Sequence, residues 1–201
     1  YNNNNEYTLG FELAGNPFPS AIDWDAAAGW TKTNIDDALY YFNASTTDPY
    51  GGSYSSYVNG ISSDGIVSGI IPSMQGFFVH VSDGAYPVTG TLAVDNQVRI
   101  DDRTHYFAKS SRSFNATVPD LLRLVAVFTD DSASADPLVI YTDRNASAAF
   151  DGKQDALKLL NTDYGIPNLY VLLPGDKKLS IMSLPSDSIL PPGIPLGIKS
   201  N

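Results

Sequence analysis

The chain has 201 residues, 43% of them hydrophobic, which suffices for one large core or two small ones and, with charged residues at only 17%, excludes a disordered chain. A net charge of −10 and no basic run longer than Lys177-Lys178 exclude nucleic acid and anionic membrane surfaces as partners, because phosphate binding needs clustered Lys and Arg. The absence of cysteine excludes disulfides, thiolate metal sites and cysteine nucleophiles.

The predicted elements are almost all strands, recurring at the spacing of a sandwich or barrel. Tyr7–Ala14 comes first, then a Gly-Asn-Pro turn at Gly15–Pro19. Asp37–Asn43 and Ser53–Val58 follow, then Gln75–Ser82, where Phe77, Val79 and Val81 point one way and Phe78 and His80 the other. Val88–Val94 and Gln97–Ile100 are expected strands around a turn at Asp95-Asn96. Polar residues at Lys109–Ser113 mark a boundary. Beyond it come Leu121–Thr129, Pro137–Thr142, Leu169–Leu173, Lys177–Ser183 and Pro195–Lys199. The best helical window, Asp151–Leu160, reads equally well as extended chain. All acids except Glu6 and Glu12 are aspartates, which suit turns more than helices.

The pattern predicts an all-β chain of two consecutive antiparallel β-sandwich domains of jelly-roll or Ig-like type, residues 1–110 and 111–201. About five strands make the second sandwich thin, so its remaining strands are expected outside this chain or from another one. No apolar run reaches 18 residues, so no membrane insertion is expected. Without an initial Met or a signal peptide, the chain reads as a processed product or a fragment.

The search for catalytic patterns is negative. There is no G-x-S-x-G elbow, H-E-x-x-H, P-loop or G-x-G-x-x-G. Two histidines, His80 and His105, cannot make a three-histidine metal site; they read as a sheet-face residue and a turn residue. Asp130, Asp131 and Asp136 lie within a short acidic stretch between two strands, offering oxygens to Ca²⁺ if it is a loop; a solvated hairpin is the competing reading. Tyr50, Tyr54 and Tyr57 sit among Gly and Ser in Asp48–Gly60, an expected interaction loop for sugar rings or a neighbouring subunit, with a strand carrying Tyr54 and Tyr57 on the sheet surface as the competing reading. Asp23 and Asp25 alternate with Trp24 and are expected on the solvent side of a strand whose Trp points inward.

Gly15-Asn16-Pro17-Phe18-Pro19-Ser20-Ala21-Ile22-Asp23-Trp24-Asp25 with Gly29-Trp30, followed by Ser68-Gly69-Ile70-Ile71-Pro72-Ser73-Met74-Gln75-Gly76-Phe77-Phe78-Val79, resembles a paired signature in a β-rich region of Bacteroidetes secreted proteins. Weaker matches follow in order at Leu122-Arg123-Leu124, Phe150-Asp151 with Asp155–Leu159, Leu169-Tyr170, Leu179-Ser180-Ile181 and Ile194–Gly197. In those proteins the region precedes a C-terminal type IX secretion sorting domain, which this sequence lacks. The resemblance implies a secreted or cell-surface location and brings no catalytic residues. Asp131-Ser132-Ala133 and Asp187-Ser188-Ile189 resemble the O-glycosylation acceptor pattern of the same organisms, which makes Ser132 and Ser188 candidate glycosylation sites.

These readings converge on a non-catalytic extracellular structural or adhesive module. Its expected partner is itself, in head-to-tail subunits linked through exposed sheet edges. A carbohydrate-binding accessory module facing extracellular polysaccharide is the alternative, and a hydrolase using an aspartate pair is a weaker third.

Overall fold

The computed structural model describes residues 9–85, 87–101, 120–128, 131–186 and 193–200. Along the chain run β1 (Phe11–Gly15), β2 (Ile22–Asp23), β3 (Trp30–Thr33), β4 (Leu39–Ala44), β5 (Gly52–Val58), β6 (Ile61–Ser62), β7 (Ile70–Ile71), β8 (Gly76–His80) and β9 (Thr91–Val94). The second half holds β10 (Leu121–Phe128), β11 (Asp131–Asp143), β12 (Ala156–Leu157), β13 (Asn168–Leu173), β14 (Lys177–Pro185) and β15 (Leu196–Lys199). The fold is all-β, as the alternating apolar residues predict. One sheet has the order β1-β8-β4-β5-β6 and the other β10-β11-β14-β13-β15, with two small ladders, β2 with β7 and β3 with β9.

The centre of the first sheet is buried on both faces. In β4, Leu39, Tyr40 and Tyr41 are all buried although alternate side chains point to opposite sides. Leu39 and Tyr41 join Ile22, Trp24, Ile71, Phe77 and Val79 in one core. Tyr40, with Ala38, Val58 and Ile61, faces the second sheet and packs on Val139, Tyr141, Ala156 and Ile181. β8 is built the same way: Phe77 and Val79 enter the first core while Phe78 lies against the second. A third core, with Leu138, Ile140, Val171 and Met182, completes the second half. Residues from both halves of the sequence therefore share the middle core. The expected boundary at Lys109–Ser113 lies outside the described residues.

Two details depart from the sequence reading, and a third decides between its alternatives. Gln97–Ile100 is not a strand: Asn96–Val98 forms a 3₁₀ turn whose N-cap, Asp95, accepts from the Gln97 amide. Asp151–Leu160 resolves into a turn followed by β12, because Tyr141 and Asp155 capture the turn's polar groups. The second sheet is not wholly antiparallel, since β11 runs parallel to β14. A parallel pair needs a long crossover, and here that crossover carries β12 and β13.

Hydrogen bonds seam the shared core. The Tyr40 hydroxyl accepts from the Leu157 amide at 2.9 Å, the Asp37 amide donates to the Gly152 carbonyl at 2.8 Å, and Ser56 Oγ meets Ser180 Oγ at 2.7 Å. Arg123 Nε reaches across to the Ser63 carbonyl at 2.9 Å. Replacing Tyr40 by Phe keeps the packing and strips the Leu157 amide of its acceptor. A buried donor left without a partner costs about 1–3 kcal/mol, so Tyr40→Phe should lower the urea-unfolding free energy by that amount at an unchanged slope.

Candidate functional site

The paired signature forms a clasp. Asn16 is buried, and its Nδ2 donates to the Ile71 carbonyl at 3.1 Å, the Pro72 carbonyl at 3.0 Å and the Ser20 carbonyl at 2.8 Å. Its Oδ1 accepts from the Phe18 amide at 2.9 Å and its own amide donates to Gln75. Ser73 Oγ closes the circle on the Phe18 carbonyl. From this turn the chain enters β2, which pairs Ile22 with Ile71, and the Trp24 amide reaches the Gly69 carbonyl at 2.8 Å. Each motif thus satisfies the other's backbone, which is the physical reason that they occur as a pair. Gly69 is required for the close approach: a Cβ there would stand 2.5 Å from Asp25 Oδ2 and 3.0 Å from the Tyr57 ring.

Beside the clasp lies a polar concavity lined by Trp24, Asp25, Lys32, Asp37, Asn59, Gly60 and Lys153. Trp24 fills the core below it and donates from Nε1 to the Asp37 carbonyl at 2.7 Å. Lys32 Nζ stands 3.6 Å from the Trp24 ring centroid, 3.6 Å from Asp37 Oδ1 and 3.2 Å from the Trp24 carbonyl it donates to. Burial lowers the Lys32 pKa, and Asp37 and Asp25 oppose that shift. Asp25 is not on a strand as expected; β2 ends at Asp23, and the Asp25 carboxylate turns to accept from the Tyr57 hydroxyl. Burial raises its pKa from the usual 3.8, the Tyr57 hydrogen bond pulls it down, and Asp23 raises it again.

The three tyrosines part company. Gly52–Val58 is β5, not a loop, so Tyr54 and Tyr57 are correctly placed as strand residues and the interaction-loop reading fails for them. Tyr57 is buried in the first core, and Tyr54 packs on Phe42 and Phe78 at centroid distances of 5.2 and 6.0 Å. Tyr50 alone of the three stands in solvent, 91% exposed in the preceding turn. Asn59-Gly60, with φ of +48° and +81°, is the β5–β6 hairpin turn; that dipeptide is the sequence signal that identifies this segment as a hairpin.

The acidic stretch is likewise strand. Asp130 lies outside the described residues, and Asp131–Asp143 is β11. Asp136 is buried in an ion pair with Lys158, and its Oδ2 also accepts from the Leu169 amide at 2.6 Å. Among the described residues no three His, Asp or Glu side chains gather as metal ligands. The Ser132 side chain, Ser188 and His105 lie outside the described residues.

His80 is buried, with Nδ1 2.7 Å from Asp36 Oδ2 and Nε2 3.1 Å from the Leu9 carbonyl. Ser82 Oγ donates to Asp36 Oδ1 at 2.6 Å. The carboxylate therefore sits between His and Ser, whereas nucleophilic catalysis needs the histidine between them. Asp155, buried under β14, accepts from the Ser183 amide and hydroxyl, both at 2.7 Å, and from the Asp151 amide at 2.8 Å. Burial raises its pKa against these hydrogen bonds. Sequence reasoning missed Asp36, Asp155 and Lys158, because each is defined by a partner distant in sequence.

A larger groove of about 800 Å³ runs between the halves, lined by Asp36, Ser82, Asp83, Phe150, Lys153 and Lys177 among others. Lys177 is paired with Asp83 and lies 4.2 Å from the Phe150 centroid.

Fold and polar network together define a β-sandwich module whose strongest polar groups are engaged in holding its own backbone. The chain belongs to the family described as a domain of unknown function, DUF8693, whose model matches residues 2–200. It is also similar, at 27% identity over 193 residues, to the minor fimbrium subunit Mfa5 of Porphyromonas gingivalis. The match covers 88% of this chain and 15% of that protein, so the chain spans a small part of its relative's length. That likeness supports the Bacteroidetes origin that the signature implies. No solved structure matches.

Asp25 holds its proton more tightly in the folded chain than in the unfolded one. Its contribution to stability is therefore greatest below pH 3.8 and is lost as pH rises through the raised folded value. Tyr57→Phe removes the hydrogen bond that opposes this shift. The Asp25 carboxyl, followed by NMR titration, should then titrate at a higher pH than in the unsubstituted protein; a downward shift would contradict the arrangement.

Proposed function

We propose that this chain is a non-catalytic structural module of a cell-surface fimbrial or adhesive protein, secreted by the type IX route. The observation that carries this reading is the similarity over 88% of the chain to a fimbrium subunit. The site geometry agrees with it. His80, Asp36, Asp155 and Asp136 each hold backbone or neighbouring side chains, and His80, which lies between Asp36 and the Leu9 carbonyl, does not bridge a carboxylate to a serine as a catalytic histidine would.

Assembly with further copies would use the sheet edges. Among the described residues β10 and β15 are the outer strands of the second sheet. β10 exposes Leu122, Val125 and Val127, and β15 exposes Leu196 and Ile198. An apolar strand with open backbone groups is a template for an added strand. The polysaccharide reading is weaker, because one free ring, Tyr50, remains of the three tyrosines on which it rested.

Antibodies raised against the purified module should label the surface of intact cells of the source organism. Deleting the module from its parent protein should reduce surface fibres or cell adhesion. Labelling that appears only after permeabilisation would overturn the reading.

A further inference from the structure

Lys158 and Asp136 stand side by side with each side chain 2% exposed. Lys158 Nζ lies 2.5 Å from Asp136 Oδ1 and 2.5 Å from Oδ2. A charge-assisted N–H···O bond ordinarily spans about 2.7–2.9 Å. Here the nitrogen is within reach of both oxygens at once, and so faces the carboxyl group whose carbon joins them. The Leu169 amide, 2.6 Å from Oδ2, fixes the carboxyl from another side. Taking both charges out of water carries a cost that their attraction repays only in part. Burial lowers the Lys158 pKa, which favours the free amine that a nucleophile requires, while Asp136 opposes the shift.

We propose that Lys158 and Asp136 condense to an intramolecular isopeptide bond between Nζ and Cγ. The amine nitrogen attacks Cγ, the Cγ–Oδ1 bond breaks, and Oδ1 leaves as water. Both hydrogens of that water come from the lysine ammonium, and the third stays on the amide nitrogen. Oδ2 becomes the amide oxygen, already held by the Leu169 N–H, which stabilises the charge that develops on it during attack. Two buried charges are replaced by one neutral amide, and no oxidant or co-reactant enters. The bond ties β11 to the segment just after β12. In a chain without cysteine it takes the place of a disulfide, and a pulling force would bypass every residue between 136 and 158.

Mass spectrometry of the denatured native protein tests this directly. The intact mass should fall one water below the sum of the sequence. Trypsin should leave Lys158 uncut and release Leu124–Arg144 joined to Gln154–Lys177 as one branched peptide. A full unmodified mass, with a free peptide ending at Lys158, would overturn the proposal; so would a water lost with the branch mapped to other residues.

Discussion

A strand at the centre of the first sheet, buried on both sides, is the constraint from which the rest of this structure follows. Three consecutive residues of β4, Leu39, Tyr40 and Tyr41, are buried, so that strand must be covered above and below. Trp24, Ile22 and Ile71 cover one face, and Val139, Tyr141 and Ile181 the other. Burying one such side chain stabilises a fold by about 1.5–3 kcal/mol, and exposing either face would forfeit several at once. The small ladders, the crossover in the second sheet and the turn at Phe150–Lys153 all serve to place these covers.

Covering both faces also decides where polar groups go. Tyr40 brings a hydroxyl into the middle core, and the Leu157 amide meets it. Asn16 spends its amide group on three carbonyls of the clasp. Asp155 and Asp136 accept backbone amides from β14 and β13. Each of these polar groups is held in place by its partners. The same logic explains how an acidic chain can bury so many carboxylates: each is met by two or more donors.

Much of this was legible in the sequence. Period-two patterning located β4, β5, β8, β10, β13 and β14 to within a few residues, and it assigned Phe77 and Phe78 to opposite faces. What patterning could not supply was the second cover. A strand buried on both sides reads as a simple apolar run, so Leu39-Tyr40-Tyr41 predicts a strand without predicting that residues 100 positions away complete it. Ser53–Val58 reads as a strand while Asp48–Gly60 also reads as an interaction loop; the strand reading holds for Tyr54 and Tyr57, where Ser55 and Ser56 are themselves buried between layers. The acidic stretch misled for a similar reason: Asp136 is explained by Lys158, which sequence proximity does not reveal.

Native-state hydrogen exchange tests the two-sided core most directly. Amides of β4 and β8 in the first half and of β11 and β14 in the second should open together, with one free energy and one denaturant dependence. Two sets of amides, opening at separate free energies that divide between the halves, would contradict it.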